Sequence, residues 1–258
     1  MTPFELFRTV ATKPGLLRNH QPILMLSHMR ANTSLFGHIL GSHPEIVGYY
    51  EMHIGYYSWK SLIRQKLLYY QNHPSKPGAR YIFDKILHDF HHIDTDVLNR
   101  HRAKLIFALR SPEQTIRSIV ALFGNQQDHE YSSIGHASEY YCKRLESLLR
   151  IARSCGEYYY FDAEDLKERT RPLLDDIAAW LGLEAPLSTE FDNFEMSGKL
   201  GAGDSSGRLA LRKVDNNVSD YSQIEFPPAL QEKSRETYTR VRRSLADASI
   251  NALQQAKT

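Results

Sequence analysis

The chain has 258 residues, 41% of them hydrophobic, which is enough to bury a substantial core within one large α/β domain. Lys and Arg number 32 against 30 Asp and Glu, a formal net charge of +2, which argues against a general nucleic-acid binder yet allows a basic pocket for one small anion. Cys142 and Cys155 are too few for a disulfide framework, and neither a secretory signal nor a run of roughly 18–20 apolar residues is present, so the sequence reads as soluble and cytoplasmic with no transmembrane segment.

Residues 1–20 read as an N-terminal extension. Pro22-Ile-Leu-Met-Leu-Ser27 is a continuous apolar run, the pattern of a strand buried on both faces. Small and polar residues follow to Ser34, then Leu35, Phe36, Ile39 and Leu40 recur at helical spacing, with Gly41 where a helix would stop. A short strand is expected from Ile46 to Glu51, a helix over Tyr56–Tyr70 and a strand over Arg80–Asp84. Lys104-Leu-Ile-Phe-Ala-Leu109 is a stronger strand, leading through a loop to a helix over Pro112–Phe123, where Pro suits the first turn.

Further on, Glu139–Arg153 reads as helix, Glu157–Phe161 as strand and Arg171–Leu181 as a helix ended by Gly182. Residues 196–208 read as a flexible Gly-rich loop, and Pro228–Gln255 as a long amphipathic helix. That last helix packs either on its own domain or on a second subunit in a homodimer. Strands alternating with helices imply a mostly parallel central sheet flanked by helices.

Two segments carry chemistry. Arg30-Ala31-Asn32-Thr33-Ser34-Leu35 lies between a strand and a helix, where unpaired N–H groups, two hydroxyls and a guanidinium make an anion site. It reads equally as an ordinary connection with Thr33 as the N-cap. Asn32 is the non-glycine residue type that best tolerates positive φ. The second segment, Arg110-Ser-Pro112-Glu-Gln-Thr-Ile-Arg117-Ser118, puts an Arg at a strand's carboxyl end and a Ser on the helix after it, both able to meet one phosphate.

In that order the two segments resemble the 5′-phosphosulfate loop and the 3′-phosphate motif (Arg-x-Pro, then Ser eight positions after the Arg) of the PAPS-dependent sulfotransferases, P-loop-type enzymes with bacterial and carbohydrate-directed members. Ala31 lacks the family's hydroxyl, and Asn32 replaces its Gly. The resemblance extends over residues 22–210. It implies PAPS as donor, adenosine 3′,5′-bisphosphate as product, and transfer of a sulfuryl group to a hydroxyl of a carbohydrate, glycolipid or small metabolite. Donor contacts then fall to Arg30, Ala31, Asn32, Thr33, Ser34, Arg110 and Ser118. Ala163 stands where the family often has an adenine-contacting Tyr, so Tyr160 or Phe161 would stack instead, or else belong to the strand core, and Lys199 and Gly201 lie in the Gly-rich segment that covers the donor.

For catalysis the resemblance assigns Arg30 and Lys85 to the charge on the leaving oxygen, with no metal required, and Glu51, beyond His43-Pro44, to the general base. His88 is the second candidate base and His53 the third. His88, His91 and His92 would share a helix face, but with no Cys or acidic third ligand nearby they read as satisfied or exposed histidines. Tyr49, Tyr50, Tyr56, Tyr57 and Trp59 are expected on the acceptor side, as sugar-stacking or pocket residues, or else in the core. The alternatives are a P-loop small-molecule or nucleotide kinase, disfavoured because Gly-x-x-x-x-Gly-Lys-Ser/Thr is missing, and a non-catalytic nucleotide-binding homologue.

Overall fold

The computed structural model describes residues 12–126, 129–195, 197 and 207–251. Its strands are β1 Gln21–Leu26, β2 Ile46–Val47, β3 Tyr81–Ile86, β4 Lys104–Leu109 and β5 Tyr158–Asp162. They form one parallel sheet in the order β2-β3-β1-β4-β5. The helices are α1 Thr33–Ser42, α2 Trp59–Asn72, α3 Thr95–Arg100, α4 Pro112–Phe123, α5 Ile134–Ser154, α6 Asp165–Glu168, α7 Thr170–Leu181 and α8 Pro228–Ala248.

The strands are buried on both faces because helices cover both sides of the sheet, and they are apolar except near their ends. Ile23, Met25, Phe83, Ile106 and Phe161 pack with Phe36 and Ile39 of α1 and Leu174 and Ile177 of α7. Their sequence neighbours Leu24, Leu26, Ile82, Phe107 and Tyr160 point the other way, toward Ile116 of α4, Leu145 and Leu148 of α5, and Val241 and Leu245 of α8. Each strand thus serves two cores, and its carboxyl end is left to carry loops.

Several boundaries differ from expectation, each for a local reason. Gly41 does not end α1, which continues to Ser42. A Cβ on Gly41 would lie 2.7 Å from Tyr49 Cβ and 2.8 Å from Gly48 O, so the glycine allows close packing rather than a stop. Strand β2 ends at Val47 because Gly48 turns at φ 88, where a Cβ would lie 2.1 Å from the Phe83 carbonyl oxygen. Helix α2 starts at Trp59, since Tyr56 is already paired with Ile93 in a β-bridge. Helix α5 begins at Ile134, where Ser133 caps it by accepting from the His136 N–H. Gly182 does end α7, with φ 62.

Helix α8 packs along α5 of its own chain, and Arg242 holds Asp162 at the end of β5 through two bonds of 2.8 and 2.6 Å. It ends at Ala248 rather than Gln255; residues 252–255 lie outside the described residues. Beyond it, Ile250 N–H donates to Tyr158 O, and the Asn251 side chain both accepts from Tyr160 N–H and donates to its carbonyl. These bonds cover the open edge of β5, which would otherwise offer unpaired backbone groups. Cys142 and Cys155 are both free thiols. Among the described residues, no helix is long and apolar enough to cross a membrane.

Candidate active site at the carboxyl ends of β1, β3 and β4

Residues 27–32 connect β1 to α1. Arg30 and Asn32 both have positive φ, 65 and 55, so Asn32 adopts the conformation for which a Gly would ordinarily be used. It also ties the loop to the end of β5, with Nδ2 donating to the Ala163 carbonyl at 2.8 Å. Asn32, not Thr33, occupies the N-cap position, and its side chain caps nothing. The first-turn N–H groups of α1 therefore receive no acceptor from the cap, and the helix dipole points its positive end at the same place. Ala31 is buried within the loop.

Two polar clusters flank this helix start. In the first, Lys85, only 1% exposed at the end of β3, donates from Nζ to Ser34 Oγ at 2.9 Å. Glu51 is buried beside it and accepts the Leu87 N–H. Burial pushes the Glu51 carboxyl above its ordinary pKa, while the charge of Lys85 and then that of His53 pull it partly back. Its Oε1 is buried with no hydrogen-bond partner among the described residues. Asp84 fixes the segment that carries Glu51: its carboxylate accepts the Met52 N–H at 2.9 Å, the Tyr56 hydroxyl at 2.6 Å and the Lys85 N–H at 2.8 Å. Burial outweighs those donors and lifts the Asp84 pKa to about 7.

In the second cluster, Arg30 Nε donates to Ser118 Oγ at 2.9 Å, and Arg110 Nη1 donates to the Arg30 carbonyl at 2.9 Å. Ser118 Oγ in turn donates to the Tyr221 hydroxyl at 3.1 Å. The Nε of Arg110 is buried with no hydrogen-bond partner among the described residues, a donor available to a ligand. Burial lowers the Arg110 pKa, and the charges of Arg30 and Arg208 add to the effect against Glu164. Burial alone would raise the Tyr221 phenol. Hydrogen bonds with Ser118 and Ser219 and the Arg30 charge instead hold it below its ordinary value. Such a concentration of positive charge and donors suits an anion.

Helix α5 holds both clusters from beneath. Arg144, 1% exposed, donates to the carbonyls of Ser27 at 2.9 Å and Ile86 at 2.7 Å and pairs with Asp89, so it clamps the ends of β1 and β3 together. The Tyr140 hydroxyl accepts the Met29 N–H at 3.0 Å and donates to the Leu87 carbonyl at 2.8 Å. Tyr141 donates to the Arg110 carbonyl at 2.7 Å. His28 joins β1 to β4: Nδ1–H donates to the Met29 carbonyl at 2.9 Å, and Nε2 accepts the Arg110 N–H at 3.1 Å. Burial depresses its pKa to about 3, so it stays neutral in that tautomer.

Other candidates lie elsewhere. Tyr160 is wholly buried in the core and spends its hydroxyl on Asp162 at 2.7 Å, so it has no free ring face for an adenine; Phe161 is buried against Phe36. Tyr49 and Tyr56 are likewise core residues, bonded to His73 and Asp84. Trp59 is exposed but lines a cleft with His20, Gln21, Arg80 and Arg102, at the amino ends of the strands and opposite the two clusters. His88, His91 and His92 are in a loop after β3, not on one helix face. His88 stacks on Phe90, and burial lowers its pKa to about 4, leaving a poor base. Lys199 and Gly201 lie outside the described residues. Sequence reasoning gave no role to Asp84, Arg144, His28, Tyr221 or Arg208, although His28 lies in the loop after the first strand and Asp84 directly precedes Lys85.

Comparison with solved structures decides the fold. The sulfotransferase domain from the curacin biosynthetic pathway superimposes with a TM-score of 0.61 at 14% identity, over 87% of this chain and 99% of that one. The fold is that of a sulfotransferase. The sulfotransferase domain of the Synechococcus PCC 7002 olefin synthase gives 0.58 at 18% identity, over 86% and 96% of the two chains. Mouse sulfotransferase SULT7A1, solved in complex with PAP, gives 0.55 at 14%, over 93% and 88%. No protein-family model matches the sequence, and no curated protein matches it. In this sulfotransferase fold both polar clusters sit at the carboxyl ends of the central parallel strands, where open α/β sheets bind ligands.

Proposed function

We propose that the chain is a PAPS-dependent sulfotransferase. The observation that carries this reading is the meeting of Arg30, Arg110 and Ser118, from two separate strand–loop–helix units, in one cluster beside the helix start that Lys85 and Ser34 share. The arrangement suits a ligand with two phosphoryl-type groups on one nucleoside. The first turn of α1, with Thr33, Ser34 and Lys85, takes the 5′-phosphosulfate. Arg110, Ser118 and Arg30 take the 3′-phosphate, with Tyr221 and Arg208 beside them. The bond from the Arg30 guanidinium to Ser118 supports giving Arg30 to the 3′ group rather than to the leaving oxygen.

Charge that grows on the bridging oxygen during in-line transfer then falls chiefly to Lys85, assisted by the N–H groups of α1. Glu51, with Oε1 unengaged and Lys85 beside it, takes the proton of the acceptor hydroxyl. Charge neutralisation by these cations makes a metal unnecessary for transfer. The acceptor in this reading is an alcohol on a carbohydrate, glycolipid or small metabolite.

Arg110→Ala separates the 3′-phosphate from the rest of the nucleotide. Losing a charge-assisted contact costs about 1.5–3 kcal/mol. Affinity for adenosine 3′,5′-bisphosphate is therefore expected to fall about 10–100-fold by calorimetry, with that for 5′-AMP nearly unchanged. Equal losses for both ligands would remove Arg110 from the 3′ site. For Lys85→Ala, turnover with PAPS and the best alcohol of an acceptor panel is expected to drop about 10²–10³-fold, the usual cost of one preorganised charge-stabilising donor. A rate within threefold of the parent would move that role to another group.

A further inference from the structure

Three ligand-bearing side chains meet beside Lys85 in a way the sequence did not suggest. Glu51, His53 and His91 bring one ligand atom each within 4.8 Å of one another. Glu51 Oε1 lies 3.9 Å from His53 Nδ1, and the His53 and His91 rings are 5.8 Å apart between centroids. Glu51 is 6% exposed; its Oε1 and the Nε2 of His91 are both buried without a hydrogen-bond partner among the described residues. Buried polar atoms left this way are rare and mark a place for a missing partner.

The frame around them is built rather than accidental. Glu51 and His53 come from the segment after β2, and His91 from the loop after β3. Tyr56 N–H donates to the His92 carbonyl at 2.7 Å, and Asp94 N–H donates to the Tyr56 carbonyl at 2.8 Å, so the two segments are stitched together like strands. Gly55 permits that approach, since a Cβ there would lie 2.9 Å from the His92 oxygen. Asp84 anchors Met52 between Glu51 and His53, and His53 is held at φ 53, a conformation that non-glycine residues seldom adopt without a reason.

We propose that Glu51, His53 and His91 form a binding site for a zinc-class divalent cation. Two imidazoles and one carboxylate favour zinc or cobalt over magnesium and calcium, which prefer all-oxygen shells. Three protein ligands leave a fourth position open. With bonds of about 2.0–2.2 Å, tetrahedral ligand atoms stand about 3.4 Å apart. The set is wider than that, with 3.9 Å between Glu51 Oε1 and His53 Nδ1 and no ligand-atom pair beyond 4.8 Å, so small side-chain rotations bring it to that geometry. The consequence rests on the sulfotransferase reading: a cation on Glu51 takes the lone pair that accepts the acceptor's proton, so its binding silences transfer. Metal occupancy and base catalysis exclude each other at this carboxylate.

The test is a titration of the full-length, metal-free protein with Co²⁺, followed by its visible d–d absorption, and with Zn²⁺ by calorimetry. One tight equivalent is expected. His91→Ala and His53→Asn (Asn tolerates the positive φ) are each expected to weaken it at least about 100-fold, since even outer-shell losses cost 10–100-fold. Adenosine 3′,5′-bisphosphate affinity, measured alongside, stays as in the parent and shows that both variants are folded. In the transfer assay, stoichiometric Zn²⁺ stops the parent and leaves His91→Ala turning over. Absence of a tight equivalent, or its survival in both variants, overturns the site. Equal zinc sensitivity of His91→Ala and the parent overturns the inhibitory role. Failure of adenosine 3′,5′-bisphosphate to bind the parent would count against the transferase reading alone, because the cobalt spectrum does not depend on it.

Discussion

Glu51→Gln is expected to lower turnover with PAPS and an acceptor alcohol by about 10²–10⁴-fold, the range a positioned general base contributes. The substitution keeps the size of the side chain and its ability to accept the Leu87 N–H, and it removes only the basic oxygen. Donor affinity is expected to stay within a few-fold, since the donor contacts proposed above are the loop after β1, Lys85 and the Arg110–Ser118 pair, and Glu51 is not among them. The measurement is single-turnover kinetics at saturating PAPS, paired with calorimetry of adenosine 3′,5′-bisphosphate. Unchanged turnover would shift the proton transfer to His53. His88, half-buried and stacked on Phe90 with its pKa lowered to about 4, is less suited to it. Lost donor affinity would mean that Glu51 supports the loop rather than the chemistry.

Arg144→Leu is expected to destabilise the fold by about 2–5 kcal/mol, chiefly the cost of leaving two buried carbonyls without a donor, since Asp89 is itself half exposed. Leucine fills the space but satisfies none of the three groups the guanidinium holds. The carbonyls of Ser27 and Ile86 then face a core with no donor, and Asp89 loses its partner. Because those carbonyls end the two strands that carry the phosphate loop and Lys85, the protein that remains folded is also expected to bind adenosine 3′,5′-bisphosphate more weakly. Urea unfolding of parent and variant measures the first effect. A loss below about 1 kcal/mol would show that the strand ends are held by Tyr140 and the ladder alone.

The two polar clusters are legible in sequence because their residues sit at fixed distances along continuous elements. An apolar run, a polar turn and a helix place Thr33 and Ser34, and Ser118 lies eight positions after Arg110, across one strand end and two helical turns. The positive φ of Asn32 follows from its chemistry alone. The support beneath the two clusters depends on chain segments distant in sequence. Arg144 lies in a 21-residue amphipathic helix, where an Arg ordinarily faces water, and nothing local shows that it turns inward to two strand ends.

Aromatic residues mislead for a related reason. Tyr49, Tyr56 and Tyr160 look available for ligands, yet each carries its hydroxyl into the core to a buried partner, and Trp59 belongs to the opposite end of the sheet. Spacing groups the histidines after β3 with one another, whereas the fold brings Glu51 and His53 from the segment after β2 close to His91. Glycines also serve two purposes: Gly182 ends a helix, whereas Gly41 makes room for Tyr49.

Calorimetric titration with adenosine 3′,5′-bisphosphate, in the absence of metal and beside magnesium-ATP, tests the central claim most directly. The account predicts binding of the bisphosphate in the micromolar range and little of magnesium-ATP. Preference for magnesium-ATP would contradict it, assign the two phosphate clusters to a kinase, and require new roles for Arg110 and Ser118.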